Sequence, residues 1–233
     1  MNRVIIPLDV SSEHEAFDLV DRLGERADFY KVGLELFTSC GPEVVRRLQR
    51  MGKRVFLDLK LHDIPNTVAG AVAAASDLGV DLLTVHASGG PTMLEAAARA
   101  RRGNLRLLAV TALTSLSPDE MSAVWGREIR SVREEVGRLT LSAQHAGIDG
   151  VVASALEAPW LRGHVGADFL LVTPGIRPAG ASPDDQNRVA TPAEAIRAGS
   201  DYLVIGRPIT QARDPEAALG AVLAEISSAE AEA

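Results

Sequence analysis

Eight short β-rich runs separated by helical patterns occupy almost the whole of this 233-residue chain, and they constrain its fold more than any other feature. They lie at residues 3–9, 28–33, 54–60, 81–86, 105–111, 150–153, 169–173 and 202–206. Helical spacing fills most of the intervals, most plainly at 13–26, 42–51 and 131–146. Strands that alternate with helices run parallel and are joined by crossovers, and eight such units predict a (β/α)8 TIM barrel. The rival architecture, an open doubly wound sheet, calls for a glycine-rich turn after the first strand. Here that turn reads Leu8-Asp9-Val10-Ser11-Ser12.

A hydrophobic content of 46% suits one substantial core, so a single barrel domain is expected over residues 1–226. The acidic, alanine-rich end, 227–233, shows no apolar stripe and is expected to fray. Cys40 is the one cysteine, which excludes an internal disulfide. The first residues lack the apolar centre of a signal peptide, and no apolar run approaches the ~20 residues of a membrane span. The expectation is therefore a cytoplasmic protein with no membrane partner. A net charge of −7 without long basic blocks argues against a nucleic-acid partner. A small anionic ligand would need a local positive pocket.

In a barrel of this kind, polar residues at the C-terminal ends of the strands read as catalytic. Strand one ends at Asp9, strand two carries Lys31, strand three carries Asp58 and Lys60, strand four ends at His86, and strand five runs into Thr111-Ala-Leu-Thr114-Ser115. Asp58 and Lys60 share one face of their strand, while Leu57, Leu59 and Leu61 share the other. An exposed ion pair on an edge strand would contribute at most about 1 kcal/mol, and it fits poorly with a strand this apolar. Burying several charges at one barrel mouth costs several kcal/mol per ion before pairing, which favours function over structure. His86 and His62 stay outside the predicted site: a strand-end histidine such as His86 is as readily a hydrogen-bonded neighbour as a catalyst, and His62 suits solvent or a partner chain as well.

The last two strands carry a different signal. Strand seven is followed by Thr173-Pro-Gly-Ile-Arg177-Pro and a loop rich in Pro, Gly, Ala and Ser that reaches Gln186, a composition suited to a lid. Arg177 would supply charge to a ligand there and Gln186 a hydrogen bond. Strand eight runs into Gly206-Arg207-Pro208, where the glycine N–H and the arginine fork suit phosphate, at a place where barrels often bind it.

The segment Asp58-Leu-Lys-Leu-His-Asp-Ile-Pro-Asn-Thr67, with Lys31-Val-Gly, Leu113-Thr-Ser115, Pro174-Gly-Ile-Arg-Pro178 and Ile205-Gly-Arg-Pro208, resembles bacterial orotidine 5′-phosphate decarboxylases in order along nearly the whole chain. The resemblance implies a cofactor-free and metal-free conversion of orotidine 5′-monophosphate to uridine 5′-monophosphate in pyrimidine synthesis. It implies that Lys60 donates the proton, Asp58 lies beside the departing carboxylate, and Lys31 holds the charge network and, with Asp9, the ribose. It further implies a homodimer in which Asp63, Ile64 and Thr67 reach the neighbour's site. Thr114 would lie near the nucleotide, while Arg177, Gln186, Gly206 and Arg207 would bind substrate and phosphate.

Two other readings remain open at this point. Related barrels use Asp-x-Lys-x-x-Asp to hold a divalent metal and process sugar phosphates, and the first half of the segment suits them equally. His62-Asp-Ile-Pro-Asn-Thr67, Lys31 and Arg177-Pro178 separate the two, since they resemble the nucleotide enzymes. A non-catalytic phosphate-ligand sensor on the same barrel is the third reading. Such a sensor would be expected to lack one of the charged residues, and none is missing.

Overall fold

The computed structural model describes residues 2–113, 115–178 and 189–231. Its strands are β1 (Val4–Pro7), β2 (Phe29–Gly33), β3 (Arg54–Leu61), β4 (Leu82–His86), β5 (Arg106–Val110), β6 (Gly150–Val152), β7 (Leu170–Thr173) and β8 (Tyr202–Val204). Each pairs in parallel with the next, and β8 pairs with β1, so the sheet closes as a barrel in sequence order. The strands fall where the sequence predicts them, trimmed by a residue or two at most ends.

The helices are α1 (Glu13–Leu23), α2 (Leu34–Cys40), α3 (Glu43–Arg50), α4 (Pro65–Asp77), α5 (Gly90–Ala100), α6 (Pro118–Trp125), α7 (Val132–His145), α8 (Ala158–Arg162), α9 (Pro192–Arg197), α10 (Arg207–Thr210) and α11 (Pro215–Ala231). Local chemistry sets their ends. Ser12 accepts the Glu15 N–H at the start of α1, and Ser117 with Glu120 closes a capping box on α6. The helix predicted through residue 26 stops at Leu23, because Gly24 adopts φ 59° and only a 3-10 turn follows.

Alternation along the strands separates two cores. Val4, Ile6, Tyr30, Val32, Val55, Leu57, Leu83, Val85, Leu107 and Ala109 face outward beneath the helices. Ile5, Phe29, Phe56, Leu82, Leu108 and Val172 face inward and form an apolar floor across the barrel, with Val152, Tyr202 and Val204 packed on it. Two residues beyond Phe29, Phe56 and Leu82, the same inward face presents Lys31, Asp58 and Thr84. The lower end is covered by Arg54, whose guanidinium lies 4.1 Å from the Phe29 ring centroid and pairs with Asp28 at 3.3 Å.

The fraying expected from residue 227 is corrected. Helix α11 continues to Ala231, Ile226 and Ala229 are buried, and Glu230 pairs with Arg3 at 2.7 Å. Leu219, Val222, Ile226 and Ala229 recur at helical spacing, so the apolar stripe that packs α11 runs into the segment whose composition looks solvated. Replacing Ile226 with Ala should therefore cost about 2–5 kcal/mol, read as a lowered midpoint in urea denaturation, whereas Ser227→Ala should be near neutral.

Candidate active site

Above the floor, four charged side chains alternate in sign along three neighbouring strand ends. Lys31 Nζ lies 2.7 Å from Asp9 Oδ1 and 3.7 Å from Asp58 Oδ2. Lys60 Nζ lies 2.8 Å from each oxygen of Asp58. Asp58 is only 9% exposed, and the buried hydroxyl of Thr84 donates to its Oδ1 at 2.9 Å. A carboxylate so enclosed is met by two lysine side chains and a hydroxyl donor. Gly33 makes room for this arrangement: a Cβ there would stand 3.0 Å from Lys31 Nζ and 3.4 Å from Asp9 Oδ1.

The alternation expected for β3 breaks at its end. From Leu57 to Leu61, β3 advances four residues while β4 advances two, from Leu83 to Val85. The extra chain is absorbed in a bulge, and Lys60 takes φ 48°, the one positive φ of a non-glycine among the described residues. A left-handed lysine costs roughly 1–2 kcal/mol, and such strain is sustained where the surroundings over-determine it. Here the Lys60 backbone N–H donates to Thr84 Oγ1 at 2.8 Å.

His86 ends β4 beside this cluster. Its ring stacks on His62, with centroids 5.3 Å apart, and its Nδ1 lies 2.7 Å from Ser88 Oγ. Burial first, then the neighbouring His62 and Lys60 charges, hold its pKa below the ordinary imidazole value. His86 is thus a neutral wall of the mouth, and His62 is exposed beside it.

Asp9, Lys31, Asp58 and Lys60 come together as the sequence predicts. Asp63 does not join them: its carboxylate is exposed, accepts the Ile64 N–H at 2.6 Å, and forms no ion pair among the described residues. Ile64 is 67% exposed, and Thr67 is exposed on the first turns of α4. Arg177 is buried, donating to the Ile176 carbonyl at 3.0 Å, while its backbone N–H bonds to Ala190. Gly206 and Arg207 follow β8 into α10, with Gly206 close against Pro7. Thr114 and Gln186 lie outside the described residues.

A closed parallel barrel with acids and bases gathered at the C-terminal ends of its strands is the architecture of a barrel enzyme. Residues 2–222 match the orotidine 5′-phosphate decarboxylase / HUMPS family, and the chain belongs to it. It is 52% identical to the orotidine 5′-phosphate decarboxylase of Moorella thermoacetica, over 97% of this chain and 92% of that protein. It is 51% identical to the orotidine 5′-phosphate decarboxylase of Nitrosococcus oceani, over 97% and 98%. Among solved structures, the orotidine 5′-phosphate decarboxylase of Lactobacillus acidophilus superposes with a TM-score of 0.87 at 40% identity, covering 97% of this chain and 99% of that one.

Thr84 went unnoticed in the sequence. The signal was present as a hydroxyl at an inward position of the otherwise apolar run Leu82-Leu-Thr-Val85, two residues beyond a floor residue.

The His86 shift carries a pH dependence of stability. Its folded pKa lies below the unfolded value of about 6.5, so the unfolded chain takes up the proton first. Stability is fully present above that value and declines as pH falls toward the folded value. Thermal unfolding midpoints should fall between about pH 7.5 and 5.5, and less steeply in His86→Asn than in the parent. Equal slopes in the two proteins would remove His86 as the source.

Proposed function

We propose that the chain decarboxylates orotidine 5′-monophosphate to uridine 5′-monophosphate and CO2, the last step of de novo pyrimidine synthesis. The observation that carries this reading is the Asp9–Lys31–Asp58–Lys60 array at the barrel mouth, in a chain about half identical to proteins named for that reaction.

The chemistry calls for such an array. Breaking the C6–carboxylate bond releases CO2 and leaves an sp2 carbanion whose lone pair lies in the ring plane, outside the π system. The Lys60 ammonium sits beside C6, stabilises the developing charge, and then gives C6 its proton; solvent returns a proton to the amine. Asp58, next to the departing carboxylate, keeps Lys60 oriented. Lys31 links Asp58 to Asp9, and both Lys31 and Asp9 meet the ribose hydroxyls.

One unit-charge pair about 4 Å apart at an effective dielectric near 20 interacts by roughly 4 kcal/mol, about a thousandfold in rate. A decarboxylation with no delocalisation demands more. Binding energy from the remote phosphate, taken by Gly206 and Arg207, with contacts from Thr114, Arg177 and Gln186, is directed into holding the ring in the charged site.

The site is completed in a homodimer. Asp63, Ile64 and Thr67 follow the bulge at Lys60 and extend to the neighbouring subunit's mouth. The exposure of Ile64, and the absence of an Asp63–Lys60 ion pair within the protomer, support that reading.

Direct assay of orotidine 5′-monophosphate by its falling ultraviolet absorbance tests the function. Turnover should be unchanged by chelator, whereas loss with EDTA and recovery with Mg2+ would favour the metal-dependent sugar-phosphate class. Lys60→Ala should abolish turnover without unfolding the barrel, and Arg207→Ala should lower kcat/KM about 10- to 100-fold, through kcat as well as KM. Mixing inactive Lys60→Ala and Asp63→Ala chains should restore activity, because one site of the mixed dimer keeps both residues. No recovery after verified subunit exchange would confine Asp63 to its own chain.

A further inference from the structure

We infer that Thr84 is a positioning residue for the reaction, using one hydroxyl to hold both the backbone of Lys60 and the carboxylate of Asp58. The inference rests on the proposed roles of those two residues. Thr84 is fully buried, on the inward face of β4 above Leu82. Its Oγ1 accepts the Lys60 N–H at 2.8 Å, and its own proton goes to Asp58 Oδ1 at 2.9 Å.

The direction of both bonds follows from chemistry. A backbone N–H can only donate and an ionised carboxylate can only accept, so the hydroxyl must accept from the first and donate to the second. The Lys60 N–H also lies in the bulge between the Leu57–Leu83 and Leu61–Val85 pairs, where the β3–β4 register is shifted. Thr84 gives that group a partner and anchors the left-handed turn that brings Nζ back to Asp58. Its β-branched side chain is stiff at χ1 and embedded in the barrel, so the hydroxyl is a fixed point rather than an adaptable one. Asp58 needs the same point, because Lys31 and Lys60 hold its oxygens from the mouth while Thr84 holds Oδ1 from the β4 wall.

Thr84→Val keeps the volume and removes both hydrogen bonds; Thr84→Ser keeps the bonds and loses a methyl group. The valine variant should lose about 10- to 100-fold in kcat, the scale of a 1 Å misplacement of a reacting group, with KM within about twofold. The serine variant should recover most of the loss. Amide exchange at Lys60 should accelerate in the valine variant alone. Full kcat in Thr84→Val would overturn the inference, as would equal impairment of the valine and serine variants with unchanged Lys60 exchange, which describes packing. If the valine variant does not fold, Thr84→Ala against Thr84→Ser at equal folded fraction makes the same comparison. Parent and Lys60→Ala, assayed alongside, separate the two levels. An active parent with a dead Lys60→Ala upholds the function whatever Thr84 does, and an inactive parent leaves the Lys60 exchange to decide the hydroxyl's role.

Discussion

A carboxylate placed on top of an apolar floor has to be met by cations and donors, and Asp58 is the group around which this barrel's mouth is organised. It takes two bonds from Lys60, a longer contact from Lys31 and a hydroxyl from Thr84. Removing one partner would leave an enclosed carboxylate with a donor fewer, which is costly. The bulge in β3 and the left-handed Lys60 lie at this cluster, and the lysine keeps both contacts to Asp58 across them.

The barrel was legible because its evidence is periodic. Each strand buries both faces, so the runs read as continuous apolar segments bounded by turns and helices, and closure follows from counting them. Asp9, Lys31, Asp58 and Lys60 were legible for a related reason: charges at the ends of apolar runs have no other place to be. Thr84 was not, because threonine is at home in any strand and its role depends on which wall of the barrel it faces. The bulge was equally hidden, since a one-dimensional pattern shows alternation but not the partner strand that slips against it. The C-terminal end misled in the opposite way. Its acidic and small residues look solvated, yet Ile226 and Ala229 continue a stripe that only the docked helix makes visible.

Asp63, Ile64 and Thr67 stand apart from the cluster. They share the decapeptide with Asp58 and Lys60, but the turn after β3 carries them to the surface, where Asp63 accepts a hydrogen bond from the residue that follows it. His62 and His86 mark the boundary between the two groups, one ring exposed and one enclosed, stacked across the turn. The same few residues therefore serve two environments, and the turn geometry decides which side chain belongs to which.

The strand order has a consequence for how the molecule comes into being. Asp9, Lys31, Asp58, Lys60 and Thr84 all lie on or just after the first four strands, whereas Gly206 and Arg207 follow the last, and β1 finds its second neighbour only when β8 arrives. During synthesis the half that carries the charged cluster emerges first and waits for its closing partner. A chain cut short before β8 would hold every charge of the cluster but leave β1 without a partner on one side.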